Sequence, residues 1–137
     1  DYFGPTNFLR MDDFESRIVH DAADSPESLL IGGAIQDNKK KTLTADPISY
    51  VTKDDSPFLI VHGTKDMAVP YNQSVILNAA LNKVGVPTAL LTVVDGGHGV
   101  SGGVLNKRLQ KFFDHHLRGG EAAFKDEAIP VGKTGRR

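Results

Sequence analysis

The feature that most constrains the fold is an alternation of patterns between residues 57 and 119. "PFLIVHG" is a short apolar run closed by Gly63, the composition of a strand buried on both faces. "YNQSVILNAALNKVG" follows, with Leu77, Ala80, Leu81 and Val84 at i, i+3, i+4 and i+7, the stripe of a helix packed on a sheet. Asn72 suits its N-cap, Gly85 its C-cap, and Pro87 stops it from continuing. "TALLTVVDGG" has the pattern of a second strand ended by glycines. "VLNKRLQKFFDHHLRGG" predicts a second helix, with Leu105, Leu109, Phe112, Phe113 and Leu117 inward and Gly119 as its stop. Strand, helix, strand, helix implies an α/β architecture of parallel strands joined by a right-handed crossover helix.

That topology says where function sits. Ligands of open parallel sheets bind outside the carboxyl ends of the strands. The residues that follow the two strands are "HGTKDMAVP" and "DGGHGV". Asp66 and His98 therefore emerge from neighbouring strand ends on one edge of the sheet. An imidazole that takes a nucleophile's proton, and a carboxylate that fixes its tautomer, are two of the three parts of a hydrolytic triad.

The flanking segments are less regular. "GPTN", "DSPES", "IGG", "ADP" and "DDSP" are turn signals, so residues 1–56 are expected to form an irregular linking segment with short helices around 11–22 and 37–45. "AFKDEAIPVGKTGRR" has little apolar content, and residues 120–137 are expected to form a loosely held tail. The 137 residues suffice for one small domain, 1–137. There is no cysteine, which excludes disulfides, thiolate metal sites and a catalytic thiol. A formal net charge of −1 without a basic run gives no footprint for nucleic acid. No apolar run approaches the roughly 18 residues of a membrane-spanning helix. His115 and His116, adjacent on a helix, diverge by roughly 100° and do not converge on a metal. Lys39, Lys40 and Lys41 make too short a run for a nucleic-acid patch. His62, at a strand end, is expected to be a buried, hydrogen-bonded histidine rather than a second base.

"HGTKDMAVPYNQS" followed by "GGHG" resembles the C-terminal portion of the α/β-hydrolase fold, and in particular the esterases acting on acylated carbohydrates and the prolyl-oligopeptidase-like peptidases. "DYFGPTNF", "SPESLLIGG" and "DPISYVTKDDSPFLIVHG" are similar to the segment that leads into the same strand in those families, so the likeness covers residues 1 to about 118. The resemblance implies Asp66 as triad acid and His98, 32 residues later, as triad base. It also implies Tyr2, Phe3, Val69 and Val100 as candidates to line a substrate pocket, with core filling an equal alternative for Tyr2 and Phe3. The implied reaction is hydrolysis of a small carboxylic ester, with peptide hydrolysis as the alternative. No metal or organic cofactor is implied.

One further pattern competes for the role of nucleophile. "GVSGG" contains G-x-S-x-G around Ser101, the sequence form of a nucleophile elbow. In this fold the order along the chain is Ser, then Asp, then His, and an elbow sits directly between strand and helix. Ser101 follows both other members, so it is expected to cap the second helix or to be a plain loop residue. No other G-x-S-x-G and no H-G-G-G-like segment occurs in the sequence. The expectation is thus a partial α/β-hydrolase fold lacking the N-terminal half of its sheet, holding acid and base without the nucleophile, and inactive by itself. The strand at 57–62 then has an uncovered side. A symmetric homodimer, or a non-catalytic self-associating chain, follows as an expectation.

Overall fold

Two apolar stretches of sequence become adjacent parallel strands: β1, Phe58–Gly63, and β2, Thr88–Val94, pair from Phe58↔Thr88 to Gly63↔Val93. The computed structural model describes residues 1–120 and 124–131. Among the described residues four helices accompany the strands: α1, Pro26–Ile31; α2, Lys39–Leu43; α3, Asn72–Val84; and α4, Gly103–Arg118. Short 3-10 turns lie at Phe8–Asp13 and Pro47–Tyr50. A third strand, β3, spans Glu127–Pro130 and runs parallel to β2, from Leu91↔Glu127 to Val94↔Pro130, giving the order β1-β2-β3. This is an α/β fold, a partial α/β-hydrolase fold.

The side-chain period of two decides which face each strand residue serves. Leu59, Val61, Ala89, Leu91, Val93 and Ile129 bury one face against Leu105 and Phe112 of α4. Ile60 and Leu90 bury the other against Leu77 and Leu81 of α3. Both faces are covered, which is why β1 and β2 are apolar runs rather than alternating ones. A smaller cluster of Phe8, Met11, Ile31 and Ile35 holds the N-terminal segment together, and Val69 packs against it.

Several local expectations need correction. The buried side of α3 is Gln73, Ser74, Leu77, Asn78 and Leu81, whereas Val84 is exposed. Polar groups there are held: Asn78 donates to the Asp126 carboxylate at 3.0 and 3.2 Å, and Gln73 Oε1 accepts from the amides of Thr6 and Asn7 at 3.0 and 2.7 Å. Tyr71, not Asn72, occupies the N-cap position of α3, while Gly85 ends it at φ +84°. No helix spans 11–22, because Asp12 accepts the amides of His20 and Asp21 at 2.9 and 2.8 Å, and such side-chain bonds compete with helix formation. The helix nearby is α1, started by Ser25 accepting from the Ser28 amide at 3.1 Å, with Pro26 in the first turn. The expected loose tail is anchored over its described part. Asp126 accepts from the Leu90 amide at 2.9 Å, Glu127 pairs with Arg108 through two bonds of 2.7 Å, and the Phe124 ring meets Phe112 edge-on at 5.4 Å. Residues 121–123 and 132–137 of that segment lie outside the described residues.

On α4, Leu105 and Phe112 are buried as the stripe predicts, but Phe113 is 53% and Leu117 76% exposed. Phe113 faces a groove of about 470 Å³ along the outer side of β1, shared with Tyr2, Phe58 and Leu59. The outer edge of β1 is met by a short segment, residues 1–3, with the Asp1 ammonium donating to the Leu59 carbonyl at 2.9 Å. Val61 donates to the Asp1 carbonyl at 3.0 Å and accepts from the Phe3 amide at 2.8 Å, forming a parallel bridge between Tyr2 and Val61. Open edges beside apolar side chains recruit strands. Sedimentation equilibrium of the folded chain at micromolar concentration is expected to give twice 14.8 kDa, and a clean 14.8 kDa species contradicts pairing at this edge.

Candidate active site

The end of β1 and the loop after β2 are stitched together by backbone bonds before any functional side chain enters. Thr64 donates its amide to Val93 at 3.0 Å, Lys65 donates to Gly96 at 2.8 Å, and the Asp95 amide donates to Thr64 Oγ1 at 2.9 Å. The two loops approach so closely that a Cβ on Gly63 would overlap the Gly96 carbonyl and stand 2.7 Å from that of Gly97. Glycine at 63 is thus required by the backbone of the neighbouring loop. Asp95 at φ +61° and Gly99 at φ +90° then turn the chain so that His98 returns toward β1.

Asp66 is fixed within its own turn. Its Oδ1 accepts from the amides of Ala68 and Val69 at 2.9 and 3.0 Å. Its Oδ2 lies 2.9 Å from His98 Nδ1 and 3.2 Å from His62 Nε2. A carboxylate only accepts, so His98 Nδ1 carries hydrogen and donates to Oδ2, while the polar edge of His62 stands beside that oxygen. Burial alone raises the Asp66 pKa, but the Val69 and Ala68 amides, the His98 hydrogen bond and the nearby His62 outweigh it and hold the carboxyl below its ordinary value. Asp66 is buried while the His98 side chain is 46% exposed, so the histidine is anchored at Nδ1 and leaves Nε2 as its free acceptor.

An aromatic ring completes the arrangement. Phe3 lies tilted over His98 with ring centroids 4.5 Å apart. Its backbone is left-handed, φ +42°, a conformation that costs a non-glycine residue on the order of 1 kcal/mol. The bridge to Val61 holds it there. Tyr2 is adjacent, edge-on to Phe3 at 5.8 Å. Val69 and Val100 are half-buried and pack downward, Val69 on the Phe8 cluster and Val100 on the face covered by α4.

Two other Ser–His–acid groupings have a superficially similar layout. Ser74 Oγ is 2.6 Å from His62 Nδ1, and His62 reaches Asp66, but all three residues are buried. Ser16 Oγ is 3.3 Å from His20 Nε2, and His20 Nδ1 is 3.0 Å from Glu27 Oε2. There the Ser16 hydroxyl donates to the Met67 carbonyl at 3.0 Å, so its proton is directed away from the buried His20 ring. Neither grouping offers a nucleophile to a substrate. Ser101 is exposed, and Gly102 rather than Ser101 occupies the N-cap of α4, with no side-chain cap. Of its two expected roles, the loop residue is the one observed. Among the described residues, no hydroxyl hydrogen-bonds the His98 ring and no group of three or more His, Cys, Asp or Glu could hold a metal ion. No helix among them is long and apolar enough to cross a membrane.

Comparison with known proteins bears on the fold and the family. The BD-FAE family model matches residues 1–81. Esterase LipQ of Mycobacterium tuberculosis (strain ATCC 25618 / H37Rv) is 39% identical over 62 residues, 45% of this chain and 15% of LipQ. The uncharacterized peptidase YuxL of Bacillus subtilis (strain 168) is 30% identical over 88 residues, 59% of this chain and 13% of YuxL. Among solved structures, a bifunctional GH43-CE protein of Bacteroides eggerthii superposes with a TM-score of 0.76 at 32% identity, covering 85% of this chain and 16% of that one. A truncated form of a carbohydrate esterase from gut microbiota superposes with a TM-score of 0.77 at 31% identity, covering 84% and 40%. The chain thus spans a minor part of each of these proteins.

Proposed function

The chain belongs to the BD-FAE family, and on that premise we propose that it carries the acid and base of a serine carboxylic ester hydrolase. The observation that supports this is the single hydrogen bond of 2.9 Å between His98 Nδ1 and a buried Asp66, with the other ring nitrogen turned to solvent. In this reading a serine outside these 137 residues attacks the ester carbonyl. His98 Nε2 takes its proton and later delivers it to the leaving alcohol, and Asp66 stabilises the imidazolium in between. Phe3, against the His98 ring, borders the space in which the reacting carbonyl would lie. Small acyl esters on carbohydrates are the favoured substrates, supported by the likeness to the carbohydrate esterase from gut microbiota and to the bifunctional GH43-CE protein. The relation to YuxL keeps peptide hydrolysis as the second reading.

A serine-reactive phosphonate and a short-chain nitrophenyl ester test this together. The 137-residue chain is expected to remain unlabelled and to hydrolyse the ester at the buffer rate. A polypeptide joining these residues to a G-x-S-x-G segment is expected to be labelled at that serine and to prefer esters over amides. Labelling at Ser101 or Ser16, lost in the corresponding alanine variant but kept in Ser49→Ala, overturns the assignment. A preference for amides selects the peptidase.

A further inference from the structure

His62 has no part in the proton transfers just described, yet it is completely buried at the end of β1 and all its polar atoms are engaged. Its Nε2 lies 3.0 Å from the Val69 carbonyl. A carbonyl only accepts, so Nε2 carries hydrogen. In the neutral ring Nδ1 must then accept, and its partner is the buried hydroxyl of Ser74 at 2.6 Å. Ser74 on α3 therefore donates to Nδ1 and locks the tautomer. The same Nε2–H is 3.2 Å from Asp66 Oδ2, the oxygen that receives His98.

We propose that His62, held in its Nε2–H tautomer by Ser74, is a positioning residue that fixes Asp66 for His98. The proposal rests on Asp66 and His98 being the acid and base. With it, Asp66 has three hydrogen-bond donors, two amides on Oδ1 and His98 on Oδ2, and the His62 Nε2–H, which donates to Val69 O, stands 3.2 Å from Oδ2 as an electrostatic contact. Three of the carboxylate's about four lone-pair sites are filled and the polar edge of the His62 ring closes off the fourth side, so the group cannot rotate without losing a bond. The bond to Val69 O acts on the same turn from the other side, because the Val69 amide donates to Oδ1. His62 thus ties the carboxylate and the loop that carries it to one ring. The ring is itself confined by Tyr71, edge-on at 5.8 Å, and by its cross-strand partner Thr92, whose Oγ1 meets the Tyr71 hydroxyl at 2.6 Å. The spacing H-x-x-x-D, from His62 to Asp66, thereby acquires a physical reason.

Imidazole nitrogen NMR on the chain itself tests this. His62 is expected as the neutral Nε2–H tautomer and His98 with a slowly exchanging Nδ1–H. In His62→Leu and in the milder Ser74→Ala, exchange of the His98 Nδ1–H is expected to rise about tenfold, the scale of one lost hydrogen bond. Ile60→Val, equally buried and on the same α3-facing side of β1 as His62 but making none of the hydrogen bonds, lowers stability without removing a bond of the network and should leave that proton unchanged. A His62 ring found with hydrogen on Nδ1, or a His98 proton indifferent to both variants, overturns the positioning role. A His98 ring with no Nδ1–H preference in the unaltered chain overturns the acid–base reading instead.

Discussion

Asp66→Asn is expected to reduce kcat about 10⁴-fold in a polypeptide that holds these residues together with a nucleophilic serine, with KM nearly unchanged; the size is that measured for the equivalent change in a serine protease. The reason lies in which atom faces which. Oδ1 accepts two amides, so an asparagine keeps its oxygen on that side and turns its NH₂ toward His98 and His62. A donor then meets the donor at His98 Nδ1, and the imidazole moves its hydrogen to Nε2 to escape the clash. In the proposed mechanism Nε2 is the atom that accepts the serine proton, so the base would be lost while the ring stays in place. Because Asp66 is buried, ground-state binding of a substrate is expected to be spared. His98→Ala is expected to fall as far or further. A loss smaller than tenfold for Asp66→Asn, with the variant folded, removes Asp66 from the acid role. The same flip is visible without activity, as a His98 that changes from the Nδ1–H to the Nε2–H tautomer.

How much of this was legible in the sequence depends on the range over which each decision is made. β1, β2, α3 and α4 declare themselves because their burial is a local periodicity, and Asp66 and His98 because parallel topology places strand-end residues on one edge. The second-strand loop and the first are joined by backbone bonds that any sequence could make, but only Gly63 permits their approach. His62 was visible as buried, whereas its partner Ser74 was not, since a serine on a helix gives no sign that it faces inward. The same holds for Gln73 and Asn78, whose burial is made possible by Thr6, Asn7 and Asp126, residues far away in sequence. β3 has one buried apolar residue, Ile129, and is held by the carboxylates of Asp126 and Glu127. Apolar content therefore could not reveal it. Ser25, Pro26 and Glu27 did carry a helix-start signal, but the same three residues also suit a turn. Phe113 and Leu117 extend the stripe of α4 beyond the width of sheet available to cover it.

Gly63→Ala is expected to be the most destabilising of the glycine substitutions around the site. The added Cβ meets the carbonyls of Gly96 and Gly97, which are backbone and cannot swing aside as a side chain would. Relief requires the His98 loop to move away from β1, which stretches the 2.8 Å bond from Lys65 to Gly96 and draws His98 off Asp66. Overpacking of this kind costs roughly 3 kcal/mol. For a chain of this size that corresponds to a fall of roughly 10 °C in Tm. Gly96→Ala meets the Val100 and Val93 side chains at 2.7 and 2.9 Å and the Val93 carbonyl at 3.1 Å, longer than the carbonyl contacts at Gly63, so its cost should be smaller. Gly97→Ala finds its nearest neighbour, the Lys65 carbonyl, at 3.9 Å and should be almost silent. The order Gly63, Gly96, Gly97 in thermal unfolding is thus the expected result, with the His98 Nδ1–H signal weakened most in the first. A Gly63→Ala chain as stable as Gly97→Ala would show that the two loops are not in the close contact on which the Asp66–His98 geometry depends.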